Sequence, residues 1–285
     1  MFKRLWSILC QTSSAWSDHE GPRLGAALAF YTILSLAPLV IFVIAAVALV
    51  LGHSNAQAQI ISQVQGLIGS YGANAVQTVI EQAQNPTSGT FASIIGVVTL
   101  LYGASGVAGE LRSALNKIWD VKSGAGSGIV GLLKERFFSF GIVLAIGFLL
   151  MVSLMLSAAL AALGKFFGGI LPVPEFFLTS IDFIVSFAGI SFLFALTFKY
   201  VPNTKIASKD LWTGAIVTAF LFTVGKSLIG LYLGKAGVAS AYGAAGSLIV
   251  VTVWVYYSSM IFFFGAELTH VLARPQNLTK AGTAL

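Results

Sequence analysis

Charge is what this chain has least of. Asp, Glu, Lys and Arg make up 9% of its 285 residues, where soluble domains carry about 25%. That is too little to cover a water-soluble surface of this size, which excludes an ordinary soluble enzyme and a disordered chain. Cysteine is nearly absent. Cys10 stands alone, so no intrachain disulfide can form and a stapled secreted scaffold is excluded. Histidine is equally sparse. His19, His53 and His270 are scattered without His-Glu-x-x-His spacing, so no metal site is expected. There is no Gly-x-Ser-x-Gly, no Ser/His/Asp set and no carboxylate cluster fit for two-metal chemistry. No catalytic residue and no cofactor is expected, and the chain does not read as an enzyme. The glycines in Ser123–Gly128 follow no strand and precede no Gly-Lys-Ser/Thr, so they make no nucleotide loop. A net charge of +6, spread along the chain, makes no nucleic-acid face.

What is present is apolar. Hydrophobic residues make up 57% and mean hydropathy is +0.89. About 20 mainly apolar residues cross a bilayer as a helix. Six stretches qualify: Ala26–Leu51, Phe91–Ala108, Phe137–Leu163, Phe176–Phe198, Leu211–Leu233 and Gly246–Leu268. The expected fold is an all-α polytopic membrane bundle of six transmembrane helices with added interfacial amphipathic helices, since helices satisfy their own backbone. Thirteen basic residues fall before the first span, between spans two and three, between four and five, and after the sixth. The opposite loops hold Lys165 and Lys235 alone. Basic loops stay inside, so both termini are expected in the cytoplasm.

The whole of 1–285 reads as a single membrane domain. Residues 1–25 suggest an N-terminal interfacial helix, with Phe2, Leu5, Trp6 and Leu9 at helical spacing beside Lys3 and Arg4. No cleavable leader is evident. Ser17 and Glu20 have capping-box spacing before Pro22. Residues 53–90 form an extracytoplasmic amphipathic segment. Ile60, Ile61, Val64, Leu67, Ile68 and Tyr71 suggest one helix, and Val76, Val79 and Ile80 a second. The pair reads either as an interfacial hairpin or as a lid over an outward cavity. Residues 110–136 form a cytoplasmic amphipathic loop in which Leu111, Leu115, Ile118 and Trp119 make an apolar stripe. Residues 274–285 read as a flexible tail.

Ionisable groups inside a membrane are costly and are functional candidates by default. Asp182 and Lys226 fall at similar depth, within roughly 9–11 Å of the outer edge, so an intramembrane ion pair along a substrate path is expected; the alternative is that Lys226 snorkels. Glu110 and Glu267 fall at the expected cytoplasmic helix ends, where the dipole disfavours an acid. A compensating base is expected from Arg112, Arg274 or Lys117, in a structural latch or a proton carrier. Gly103, Gly106 and Gly109 share a face, and Gly230 and Gly234 form Gly-x-x-x-Gly, both suited to close helix packing. Pro38 inside the first span is a candidate kink.

Several motifs together resemble one family. They are Ala27–Tyr31 with Leu34–Pro38, Asn85-Pro86, Leu101–Gly106 with Tyr102, Ala114–Trp119 with Asn116, Lys199–Pro202, Gly214-Ala215, Gly225-Lys226, Tyr242–Ser247 with Gly243 and Gly246, Trp254–Tyr257 and Gly265–Glu267. In order and spacing, over about 20 to 273, they resemble the YihY/BrkB family of inner-membrane proteins. The resemblance implies a six-span protein of the cytoplasmic membrane, linked to serum resistance and envelope lipid biology. The family's older label, ribonuclease BN, is regarded as a misassignment. It marks Lys226 and Glu267 as family positions. The same motifs make Pro38, Asn85, Pro86, Tyr102, Asn116, Trp119, Tyr242, Gly243, Gly246 and Glu267 candidates for structural or gating roles.

The expected function is translocation of a lipid or other amphiphile in envelope biogenesis. The alternative is a scaffold that recruits envelope proteins through the Leu111–Trp119 helix, and a ribonuclease is a remote third. Membrane lipids are the expected partners. Envelope proteins or a second copy of the chain are admissible, and nucleic acid is not expected.

Overall fold

The structure, a computed structural model, describes residues 2–84, 106–121, 175–202, 204, 206–235 and 245–282. All regular structure among them is helical: α1 (Phe2–Asp18), α2 (Gly21–Leu51), α3 (His53–Gln84), α4 (106–118), α5 (Glu175–Tyr200), α6 (Ser208–Lys235) and α7 (Gly246–Gly282). Three windows are long and apolar enough to cross a membrane: Phe183–Tyr200, Ser208–Leu233 and Gly246–Ala273. They coincide with the fourth, fifth and sixth expected spans. The first expected span lies within α2, which stays helical through Pro38. Phe137–Leu163 and most of Phe91–Ala108 lie outside the described residues.

Helix α7 is the axis of the fold. It packs against α1, α2, α3 and α6, while α5 lies against α6. Close approach is made by small residues rather than by bulk. A Cβ on Gly265 of α7 would run into the Thr218 side chain of α6, and a Cβ on Gly214 of α6 would run into Thr269 of α7. Each glycine thus seats the other helix's threonine. Both hydroxyls are buried, and each donates to the carbonyl one turn back at 2.7 Å, Thr218 to Gly214 and Thr269 to Gly265. Gly25 on α2 receives Met260 in the same way, and Gly106 on α4 receives the Tyr31 ring. Gly230 has nothing within 4 Å of a Cβ. Among the described residues, then, no helix packs on Gly230.

One apolar core joins Leu24, Leu115, Ile118, Phe198, Val201, Leu211, Phe263 and Ala266. This gathers the start of α2, the end of α4, the end of α5 and the start of α6 at one end of the bundle. Arg23, Lys117, Lys199 and Lys209 lie beside those residues in the chain, so these four basic residues gather at that end. We refer to it as the basic end. Ile229, Leu233 and Val250 form a separate cluster toward the other end, with Trp254 and Tyr257 against it.

Three local expectations are revised. Residues 53–84 form one continuous helix, not two, because Ile60, Val76 and Ile80 pack with Val40 and Ile44 of α2 and hold the helix together along its length. Residues 274–282 continue α7 where a tail was expected. Finally, Ser17 and Glu20 form no capping box. Glu20 precedes α2 as a left-handed residue, φ 58° and ψ 43°, with no side-chain cap, because its carboxylate is engaged elsewhere.

Candidate functional site

The Gly265–Thr269 interlock fixes the turn of α7 that carries Glu267. This acid is fully buried. It is not at a helix end, since α7 runs on to Gly282. Its compensation therefore answers burial, not the helix dipole. One partner is a base that sequence reasoning did not name. His19, in the turn between α1 and α2, places Nδ1 2.5 Å from Glu267 Oε1. With the carboxylate ionised, the imidazole N–H donates. The other ring nitrogen, Nε2, lies 3.6 Å from Asp120 Oδ1. His270 Nε2, one turn beyond Glu267, lies 3.9 Å from Asp120 Oδ2. The Trp119 ring packs on His270 with centroids 4.9 Å apart. A polar chain, Glu267–His19–Asp120–His270, thus ties α7 to the α1–α2 turn and to the end of α4.

Glu20 and Asp120 are the only non-glycine residues with positive φ among the described residues, at 58° and 53°. Aspartate suits this conformation better than glutamate, for which such backbone costs about 1–3 kcal/mol. The conformation of Glu20 aims its carboxylate at two cations. Lys117 Nζ donates to Oε2 at 2.9 Å and Arg23 Nη1 at 3.1 Å. The Lys117 hydrogen bond and charge, with Arg23 behind them, hold the Glu20 carboxyl below its ordinary range.

Beside this triad a cleft of about 500 Å³ opens between α2 and α4. Glu20, Arg23, Glu110 and Lys117 supply its charge; Leu24, Ala27, Phe30 and Tyr31 supply its apolar wall. Phe30 is 60% exposed, so the wall opens outward on a greasy surface. Glu110 is half-buried, lies within α4 rather than at its end, and forms no ion pair or hydrogen bond among the described residues.

The remaining candidates fall as follows. Lys226 is half-buried on α6 and has no ion pair among the described residues. Asp182 lies on α5, with its side chain outside the described ones, as is that of Pro38. Asn85, Pro86, Tyr102, Tyr242 and Gly243 lie outside the described residues. Gly246 is buried at the start of α7. Asn116 accepts the Val121 backbone N–H at 2.9 Å, closing α4. Trp119 and Glu267 meet at the site. His19, Glu20 and Asp120 were missed. The available signal was the demand of Glu267 for a base. Among the described residues no group of His, Cys, Asp and Glu is arranged to hold a metal ion.

The chain is similar to several bacterial proteins. It is 25% identical to the ribonuclease-like protein YfkH of Bacillus subtilis over 95% of this chain and 97% of that one. It is 28% identical to a UPF0761 membrane protein of Verminephrobacter eiseniae over 94% of this chain, and 27% identical to one of Pseudomonas aeruginosa over 87%. It spans 62% and 58% of those two proteins. No solved structure matches. Residues 12–284 match the family described as Virulence factor BrkB, which covers both the polar chain and the cleft, and the chain is a membrane protein of that family.

Proposed function

We propose that the protein translocates a lipid or another amphiphile across the cytoplasmic membrane, with the basic end on the cytoplasmic side. The observation that carries this reading is the cleft between α2 and α4. Four charged side chains stand at and below its rim, and an apolar wall continues from them to the exposed Phe30. A headgroup can sit among the charges while its chains stay in lipid. The polar chain beside the rim ties the α1–α2 turn to the end of α4, the two segments that carry the rim charges. The orientation follows from the convergence of basic segments. The reading needs no catalytic step.

The scaffold alternative loses its expected surface. Leu115 and Ile118 are fully buried in the protein's own core, so a recruited partner would have to use another face. The ribonuclease-like name of YfkH would come to this chain only if nuclease activity survived rigorous repurification.

The test is reconstitution of the full chain in liposomes carrying fluorescent phospholipids in both leaflets. Bleaching of inner-leaflet lipid by an impermeant reductant should run faster with protein than without. No acceleration across phospholipids and other labelled amphiphiles would overturn the proposal.

A further inference from the structure

The charges of the cleft are not evenly placed. Gly106 of α4 packs on Tyr31 of α2, so α4 rises toward the basic end as α2 descends from it. Lys117 therefore stands level with Glu20 and Arg23 at the rim. Glu110, seven residues earlier on α4, lies about 10 Å deeper, near Ala27. The rim holds two cations and one carboxylate, the deep position one carboxylate. The cleft is positive at its mouth and negative inside.

Glu110 is half-buried there, and a cation beside it would offset its lost hydration. None of the described residues supplies one. The rim cations are already shared with Glu20 at 2.9 and 3.1 Å. A zwitterion entering with its ammonium inward would complement both ends, its anion at Arg23 and Lys117 and its cation at Glu110. The apolar wall and exposed Phe30 give lipid chains a place that a free soluble amine would leave empty.

We propose that the cleft takes the headgroup of a primary-amine phospholipid, amine first, with Glu110 accepting from the ammonium and the Arg23–Lys117 rim holding the phosphate. This rests on the translocation reading for its place in a cycle, since amine-first entry is the first inward step of a headgroup leaving its leaflet. Primary and quaternary amines carry the same charge. Only the primary one donates hydrogen bonds to a carboxylate, so the site distinguishes phosphatidylethanolamine from phosphatidylcholine.

Lipid retention should be measured by native mass spectrometry on the full chain taken from nanodiscs of equimolar phosphatidylethanolamine, phosphatidylcholine and phosphatidylglycerol. The wild type should retain phosphatidylethanolamine over phosphatidylcholine by about tenfold, the scale of one charge-assisted hydrogen bond. Glu110→Gln should erase that ratio and leave total lipid retention in place. Lys117→Gln should weaken all three lipids, which share the phosphate, and keep the ratio. Equal retention by the wild type, or an unchanged ratio in Glu110→Gln, would overturn the proposal. If Glu110→Gln does not fold, the wild-type ratio decides alone. Selective retention without lipid movement in liposomes would sink the translocation reading and not this one; lipid movement without selectivity would do the reverse.

Discussion

His19 Nδ1 lies 2.5 Å from Oε1 of Glu267, a carboxylate with no exposed surface, although 248 residues separate the two. The first ordered turn of the chain is thereby fastened to its last helix. Removing one member of a buried ionic pair costs more than removing both. His19→Ala should destabilise the protein by about 3 kcal/mol, read as thermal unfolding in detergent. The double variant His19→Leu with Glu267→Met should lose less than His19→Ala alone. Equal losses would show that the pair carries no buried charge.

The α6–α7 crossing makes a second prediction. Gly265→Ala and Gly214→Ala each drive a methyl into a threonine and should cost about 1–3 kcal/mol, the usual range for overpacking. Gly230→Ala meets nothing among the described residues and should be neutral or slightly stabilising, since alanine favours helix over glycine. Parallel melting curves of the three variants check this.

The Glu20 carboxyl is held below 4.5 chiefly by Lys117. Its folded value is the lower one, so the stabilisation from the Glu20–Lys117–Arg23 triad is complete above 4.5 and is lost as pH falls through the depressed value. Carboxyl carbon shifts of labelled Glu20 should titrate below 4.5 in the wild type. They should move upward in Lys117→Gln, and a midpoint unmoved by that substitution would remove Lys117 as the cause.

Three long apolar helices were legible because long apolar runs need no tertiary information. Phe176–Phe198, Leu211–Leu233 and Gly246–Leu268 appear in the structure nearly where the sequence places them. Helix α3 was misjudged because Gly66, Gly69 and Gly72 interrupt its amphipathic pattern, while packing on α2 and α7 keeps it whole. The polar chain was half legible. Burial makes Glu267 demand a base, but no local periodicity points across 248 residues to His19. Glu20 was read as a cap from its spacing to Ser17, when two cations already claim its carboxylate.

Threading can be tested by accessibility. In a Cys10→Ser background, a cysteine at Gln63 should react with an impermeant thiol reagent applied to intact cells. One at Lys209, beside the buried Leu211 of the basic-end core, should react only after permeabilisation. The opposite pattern would invert the orientation.

The central claim is that the α2–α4 cleft is the path. Ala27→Trp fills its wall beside Glu110, and melting curves should show the fold kept. Lipid movement in liposomes should then fall to the protein-free rate. A folded Ala27→Trp protein that moves lipid as fast as the wild type would contradict the account.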